Sequence, residues 1–126
     1  MLSSVRKGRI GELKVMADLL NKGYDVYLPV VDDNGVDMIV SNGDKVKKVQ
    51  CKSHDNPKKQ FHTSVEINTR GCQKVDVIAI PLKAKQCICY IQAHRVQRAI
   101  NIAFKKSISG QKLLRNWYQD FLEFPW

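Results

Sequence analysis

Four polar residues in the first half of the chain have side chains that can bind a metal ion and handle a phosphate group: Glu12, Asp37, Gln50 and Lys52. Glu12 and Asp37 supply carboxylate oxygens, which are the ligands that magnesium prefers. Lys52 can orient or help deprotonate a water molecule and stabilise phosphate oxygens, whereas Gln50 offers a neutral carbonyl oxygen. Together these groups could provide metal-dependent hydrolysis of a phosphodiester bond, which needs a nucleophilic water and neutralisation of charge in the transition state.

A hairpin is predicted to bring three of these residues together. Strands are expected over residues 36–40 and 45–52, separated by Ser41-Asn42-Gly43-Asp44. Asn-Gly favours a two-residue hairpin loop, which would pair Ser41 with Asp44 and Asp37 with Lys48. Because side chains alternate along a strand, four polar residues would then project from one face: Asp37, Lys48, Gln50 and Lys52. Four apolar residues would point the other way: Val36, Met38, Val40 and Val49. A loop of any even length preserves this arrangement, and a one-residue bulge breaks it.

The spacing of apolar residues predicts the elements around this hairpin. A helix is expected over residues 4–22, where apolar residues recur at intervals of three and four: Ile10, Leu13, Met16, Ala17 and Leu20. A strand over residues 24–31 contains Pro29, which places it near a sheet edge because proline cannot donate to a ladder. A short strand is predicted over residues 61–67. The apolar runs at residues 75–82 and 87–91 predict a second hairpin, or two adjacent strands in the middle of the sheet.

Helical spacing returns in the last third of the chain. Two apolar sets predict two helices within residues 93–124: Val96, Ala99, Ile100, Ala103 and Phe104, then Leu113, Leu114, Trp117, Tyr118, Phe121 and Leu122. Ser107-Ile108-Ser109-Gly110 is the predicted break between them. The order of a helix, several strands and two helices indicates a layered α/β protein. A length of 126 residues fits one domain over residues 1–126, with its core at about residues 4–92.

The charge balance favours a polyanionic partner. Lys and Arg number 21 against 12 acidic residues, which gives a net charge of +9. Nucleic acid fits this charge better than an anionic membrane surface does. No predicted amphipathic helix is both strongly basic on one face and free from packing in the core. A basic protein with no such partner is the alternative. Contacts to phosphate are expected from five lysines that flank the polar residues: Lys45, Lys47, Lys48, Lys58 and Lys59.

Other features of the sequence exclude several classes of site. No apolar run approaches the roughly 20 residues needed to cross a bilayer, and no signal-type segment begins the chain, so an intracellular protein of the cytoplasm or nucleoid is expected. The four cysteines form no Cys-x-x-Cys pair and are expected to be reduced and buried: Cys51, Cys72, Cys87 and Cys89. The three histidines match no metal-binding spacing: His54, His62 and His94.

The polar residues and their context resemble the PD-(D/E)XK nuclease superfamily. Three features carry the resemblance: Glu12 follows Gly11 in a first helix, Gly35-Val36-Asp37 opens a strand, and Gln50-Cys51-Lys52 ends the next one. The resemblance covers about residues 7–92. The Gln-x-Lys variant and the short chain are most similar to the small intron-encoded homing endonucleases of cyanobacterial type, with archaeal Holliday-junction resolvases as more distant relatives.

The resemblance implies a restriction-endonuclease-like fold with an N-terminal helix, a central mixed β-sheet and C-terminal helices. It also implies that Mg²⁺, or Mn²⁺ as a substitute, is bound by Asp37, Glu12 and the main-chain carbonyl of Cys51. Lys52 matches the catalytic lysine. Two positions depart from the family pattern: Val36 replaces the usual proline, which contributes no functional group, and Gln50 replaces an acid. The second change removes one negative charge and should weaken metal binding.

The expected function is therefore a magnesium-dependent DNA endonuclease with site-specific, homing-type cleavage of both strands. One domain holds one such site and a duplex has two strands, so a homodimer or homotetramer is expected. Three alternatives remain open: a Holliday-junction resolvase, a non-catalytic DNA-binding protein that kept the fold, and an RNA-binding module. The last rests only on the aromatic residues near the basic region: Tyr24, Tyr27 and Phe61.

Overall fold

The first helix, α1, spans Ser4–Asn21 in the computed structural model, which describes residues 1–32, 34–54, 56–106 and 116–126. Its first turn is capped by Ser3, whose hydroxyl accepts a hydrogen bond from the Arg6 N–H at 3.2 Å. The helix is confirmed, and its buried face differs from the apolar stripe by which the sequence predicted it. Val15 and Leu19 are fully buried, whereas three residues of the predicted apolar stripe are exposed by about 40 to 60%: Ile10, Leu13 and Leu20.

Five strands form a mixed sheet beside α1. In chain order they are β1 (Asp25–Tyr27), β2 (Met38–Ser41), β3 (Val46–Cys51), β5 (Val77–Leu82) and β6 (Cys87–Gln92), and this is also their spatial order. The β3–β5 pair is parallel and the other pairs are antiparallel, which confirms the mixed sheet. β1 lies at an edge and ends before Pro29, as expected. The predicted hairpin of β5 and β6 is confirmed, although β6 lies at the other edge of the sheet.

The hairpin of β2 and β3 has a different loop from the one predicted. Ser41 pairs with Val46 and Ile39 pairs with Lys48, so the loop contains four residues rather than two. The Asn42 side-chain oxygen accepts hydrogen bonds from the N–H groups of Asp44 and Lys45, at 2.9 and 2.8 Å. These bonds stabilise the wider turn and shift the register by two residues. An even shift preserves which face each side chain occupies.

A bulge at Asp37 does change the predicted faces. Met38 is paired with Val49, and the Asp37 N–H also donates to the Val49 carbonyl oxygen at 2.9 Å. Two residues of one strand therefore face one residue of the other, as at a β-bulge. Val36 accordingly packs on the side of Ile39 and not on the side of Met38. The prediction that one uninterrupted strand face presents Asp37 together with Lys48 and Gln50 is wrong for this reason.

A second, three-stranded sheet, and not a pair of helices, includes part of the described residues within 93–124. β4 (Ser64–Asn68) pairs with β7 (Ala99–Ala103), and β7 pairs with β8 (Asn116–Trp117). Ile100 and Ile102 are buried while Ala99 and Asn101 are exposed, which is the alternation of a strand. The described residues after β8 form a short 3₁₀ turn, Tyr118–Phe121, followed by five residues without regular secondary structure. Residues 107–115, which include the predicted break and Leu113 and Leu114, lie outside the described residues.

The mixed sheet is covered on both sides. On one side, Val15 and Leu19 of α1 pack with Met38, Val40 and Val49. On the other side, Ile78 and Ile80 pack with residues of the three-stranded sheet, such as Val65 and Ile102. The Tyr90 hydroxyl of β6 donates a hydrogen bond to the Asp18 carboxylate, which fixes α1 to the sheet. The continuous apolar run of β5 is explained because this strand is buried on both faces.

The cysteines are free thiols, as expected, although only Cys72 and Cys89 are fully buried, while Cys51 and Cys87 are partly exposed. Burial raises the pKa of Cys89 to about 12, with smaller contributions from Cys87. Within the described ranges, no helix has the length and apolar character needed to cross a membrane.

Candidate active site

A cavity of about 290 Å³ opens where α1 meets the end of β3. Glu12 reaches it from α1, and Cys51 and Lys52 reach it from the end of β3. Gly11 of α1 faces β5, where an added Cβ atom would make ordinary van der Waals contact with the Pro81 side chain at 3.6 Å. The structure thus brings together an acid and a lysine that lie 40 residues apart in the sequence.

Asp37 is joined to this cavity through the backbone of Cys51. Its carboxylate accepts a hydrogen bond from the Cys51 N–H at 2.7 Å, and the bulge at Asp37 makes this bond possible by aiming the side chain at the end of β3. Partial burial raises the pKa of Asp37, and the hydrogen bond from Cys51 opposes that rise. The neighbouring Glu12 and Asp32 carboxylates also raise the pKa of Asp37, while Lys52 lowers it. Glu12, Asp37 and Lys52 therefore lie within electrostatic reach of one another.

Gln50 places an unsatisfied acceptor next to the Asp37 bulge. Its side-chain oxygen is buried and has no hydrogen-bond partner among the residues that the structure describes. The amide group packs beside Gly35, where a Cβ atom would make ordinary contact at 3.5 Å with both the oxygen and the nitrogen of the amide. Gly35 also has a φ of +82°, a conformation that suits glycine. A buried oxygen without a donor is costly, and a bound cation or water molecule would remove that cost.

The donors fit a hard cation better than a soft one. Among the described residues, there is no cluster of three or more His, Cys, Asp or Glu side chains that could hold a metal ion. The candidate ligands here carry only two negative charges. They are two carboxylates, the Gln50 amide oxygen and the main-chain carbonyl of Cys51. Oxygen ligands of this kind suit magnesium. Burial, with Asp37 and Glu12, raises the pKa of the Cys51 thiol far above its usual value.

Glu12 is also held in place by a neighbour on α1. The Arg9 guanidinium donates to the Glu12 carboxylate at 2.9 Å, and the Glu12 side chain is 22% exposed. The pair spans one turn of the helix. The carboxylate keeps a second oxygen for other partners.

The five lysines predicted to contact DNA occupy different environments. Lys45, Lys48 and Lys58 are exposed. Lys47 is partly buried and donates to the main-chain carbonyl of Pro125 at 2.9 Å, so its charge is used within the fold. Lys59 pairs with Glu66 at 3.3 Å. These five lysines are not among the residues that line the cavity of Glu12 and Lys52.

The cavity also contains residues that the sequence analysis did not single out. Lys7 lies on α1 about one turn before Glu12, beside Gly8, which also lines the cavity, so helical spacing could have indicated Lys7. Ser53 follows Lys52 directly. Asn68 comes from β4 of the second sheet, and no sequence signal connects it with the site. His54 is buried, and one of its ring nitrogens accepts a hydrogen bond from the Lys83 N–H at 3.2 Å, which gives it a structural role.

Comparison with known proteins gives a family and a fold. Among solved structures, the chain is similar to a bacterial homing endonuclease, I-Ssp6803I, with a TM-score of 0.72 and 17% sequence identity. The similarity covers 86% of this chain and 80% of that one. It confirms the α/β, restriction-endonuclease-like fold, apart from the C-terminal helices. No curated protein sequence matches the chain. The sequence matches the family described as PD-(D/E)XK endonuclease over residues 2–123. This match spans nearly the whole chain, which therefore belongs to the PD-(D/E)XK endonuclease family.

Proposed function

We propose that this endonuclease is a magnesium-dependent enzyme that cuts DNA at specific sites, with homing-type cleavage of both strands. The observation that carries the proposal is the convergence of Glu12, Lys52 and the Cys51 backbone on one cavity, with Asp37 hydrogen-bonded to that backbone. The net charge of +9 supports DNA as the substrate. Fold similarity to a homing endonuclease supports the site-specific mode.

Each residue has a role that follows from its position. Glu12, Asp37, the Gln50 side-chain oxygen and the Cys51 carbonyl would hold the ion, and Mn²⁺ is an expected substitute. A bound divalent ion supplies Lewis-acid polarisation of a phosphate oxygen and acidifies a water molecule. Lys52 would donate to a phosphate oxygen and orient the attacking water. The Cys51 N–H fixes the direction of the Asp37 carboxylate, so that this ligand is organised before substrate arrives.

Double-strand cleavage requires two copies of the site. We propose that residues 1–126 form one nuclease domain with one site, so that a homodimer or homotetramer cuts both strands. A DNA substrate would place the protein in the cytoplasm or nucleoid. Light scattering, with and without DNA, measures the number of chains. A chain that is monomeric in both conditions and still cuts both strands would contradict the oligomeric part of this proposal.

The test compares wild-type protein with Lys52→Met and Asp37→Asn, using a duplex library of randomised sequence and magnesium. Sequencing of the cleaved ends then identifies the target sequence. Both variants should bind a duplex that carries this target sequence as wild type does. Their rate of cleavage should fall by a factor on the order of 100 to 1,000, as when one transition-state donor is lost. The matched control is Lys74→Met, because Lys74 is exposed and lies outside the cavity. Undiminished cleavage by Lys52→Met would reject the proposed site.

Two other outcomes identify the alternative functions. Cleavage of a labelled four-way junction in preference to linear duplexes would indicate a Holliday-junction resolvase. Binding of DNA without cleavage of any substrate, in magnesium or manganese, would indicate that the fold has lost its catalytic activity. Either result would replace the homing-type proposal.

A further inference from the structure

A second polar cavity adjoins the candidate active site. It has a volume of about 380 Å³ and shares Ser53 and Asn68 with the cavity of Glu12 and Lys52, so the two are contiguous. Three cationic side chains line it: Lys59, Arg70 and Arg98. Glu66 is the one carboxylate among its described lining residues, and it pairs with Lys59 at 3.3 Å. Within this described lining, two positive charges are therefore left without a compensating acid.

Both arginines have guanidinium groups available for a ligand. Arg70 and Arg98 are exposed, and within the described residues neither forms an ion pair or a side-chain hydrogen bond. An arginine that is not engaged by the fold can bind a phosphate group with two parallel hydrogen bonds. A contiguous cavity with this charge would receive the DNA backbone as it leaves the site of cleavage.

The fold brings these two arginines together from distant parts of the chain. Asn68 pairs with Ala99 in the β4–β7 ladder, and the Thr69 N–H donates to the Arg98 carbonyl at 2.9 Å. Each arginine thus lies next to the end of this ladder, where β4 and β7 meet.

A side-chain amide fixes the same region. The Gln73 amide nitrogen lies 3.2 Å from the Thr69 carbonyl oxygen, 3.3 Å from that of Val96 and 2.9 Å from that of Gln97. It thereby connects the segment that carries Arg70 to the segment that carries Arg98. Such a connection reduces the conformational freedom lost when both arginines bind one ligand.

We propose that Arg70 and Arg98 form a phosphate-binding subsite that holds a DNA phosphate flanking the scissile one. The proposal rests on the proposed function, since it takes DNA as the substrate. The subsite contributes to binding and to the position of the DNA, and the chemistry remains with the neighbouring cavity. Glu66 opposes binding there because its charge neutralises Lys59 and repels phosphate.

The first experiment measures DNA affinity as a function of salt, in calcium or chelator so that no cleavage occurs. Arg70→Gln and Arg98→Gln are compared with wild type, and Arg95→Gln is the matched control because Arg95 is exposed but lies outside this cavity. Each subsite variant should bind roughly tenfold more weakly at low salt, since a charge-assisted hydrogen bond is lost. Each should also reduce the slope of log affinity against log salt by about 0.9, the value for one phosphate contact. Glu66→Gln should do the opposite, with tighter binding and a steeper slope.

The second experiment locates the phosphate. Single neutral methylphosphonates are placed in turn along the duplex that the wild-type protein cleaves. At one position near the cut, the substitution should weaken wild-type binding but leave Arg98→Gln binding unchanged, because the contact is already absent. The defect of Arg70→Gln and Arg98→Gln should appear chiefly as a higher DNA concentration needed for half-maximal cleavage, since the lost contact is a binding contact.

The outcomes separate this proposal from the proposed function. If Arg70→Gln and Arg98→Gln bind as Arg95→Gln does, the subsite is rejected and the nuclease assignment stands. If wild type binds DNA but cuts none, and the two variants bind more weakly, the subsite stands and the catalytic proposal fails. An absence of DNA binding by wild type overturns both.

Discussion

Replacing Asp37 with Asn or with Ala separates the effect of its charge from the effect of its hydrogen bond. Partial burial is the largest cause that raises the pKa of Asp37, and the Glu12 and Asp32 carboxylates add to the rise. The ionised form is therefore disfavoured in the folded protein. Asn carries no charge and its side-chain oxygen can still accept the Cys51 N–H. In the absence of metal at neutral pH, Asp37→Asn should be more stable than wild type.

Ala at the same position gives a different result. In wild type, the Cys51 N–H donates to the Asp37 carboxylate at 2.7 Å. Asp37→Ala removes this acceptor and leaves the N–H unsatisfied in a partly buried site. An unsatisfied donor of this kind costs about 1 to 3 kcal/mol. For a domain of this size, each kcal/mol shifts the melting temperature by roughly 4 °C. Asp37→Ala should therefore melt about 4 to 12 °C below Asp37→Asn.

The dependence on pH gives the sign of the charge effect. Because the pKa of Asp37 is raised from its ordinary value of 3.8, the folded state holds this proton more tightly than the unfolded state does. The protonated Asp37 side chain therefore makes its whole contribution to stability below pH 3.8. This contribution is lost as the pH rises through the raised pKa of the folded state. The advantage of Asp37→Asn over wild type should therefore be small near pH 3.8 and should grow above it.

Thermal unfolding in a chelating buffer, followed by circular dichroism at several pH values, measures these differences. Asp44→Asn is the matched control, because Asp44 lies in the exposed turn between β2 and β3. A wild-type protein more stable than Asp37→Asn at neutral pH without metal would refute the reasoning. Equal melting temperatures for the Asn and Ala variants would refute it as well, since the hydrogen bond to Cys51 would then have no value.

Four further substitutions test the candidate site and two of the lysines predicted to contact DNA. Gln50→Glu places a carboxylate at the unsatisfied oxygen, so it should lower the stability of the protein in chelator and increase the rise in melting temperature caused by magnesium, by about 1.4 kcal/mol of stability for each tenfold gain in magnesium affinity. Equal magnesium shifts in wild type and Gln50→Glu would contradict this prediction. Gly8→Ala should raise stability by up to about 1 kcal/mol, because no described neighbour outside the helix backbone lies within 4 Å of the added Cβ atom. It should also slow DNA cleavage because Gly8 lines the cavity, and full activity would show that DNA does not need the space beside Gly8. Lys47→Met should cost about 1 kcal/mol of stability without weakening DNA binding, because Lys47 is hydrogen-bonded within the fold. Lys48→Met should weaken DNA binding without changing stability, because Lys48 is exposed. Calorimetry measures the stability of each variant, and a binding titration measures its affinity for DNA.

The sequence by itself determined those features whose physical cause is local. The cap at Ser3 and the long helical run specify α1, and the continuous apolar run specifies β5 as a strand buried on both faces. The short separation of Asp37, Gln50 and Lys52 also indicated the candidate site, because a hairpin keeps neighbouring residues close.

Only the tertiary structure decided the features that depend on contacts between distant segments. The face of α1 that is buried depends on the sheet that Val15 and Leu19 meet, and no spacing within the helix contains that information. The apolar spacing from Val96 to Phe104 fits a helix, but pairing with β4 makes Ala99–Ala103 a strand. The bulge at Asp37, and the position of Arg70 and Arg98 on one cavity, likewise arise from strand pairing. Pairing between strands is non-local, so the pattern of neighbouring residues could not supply it.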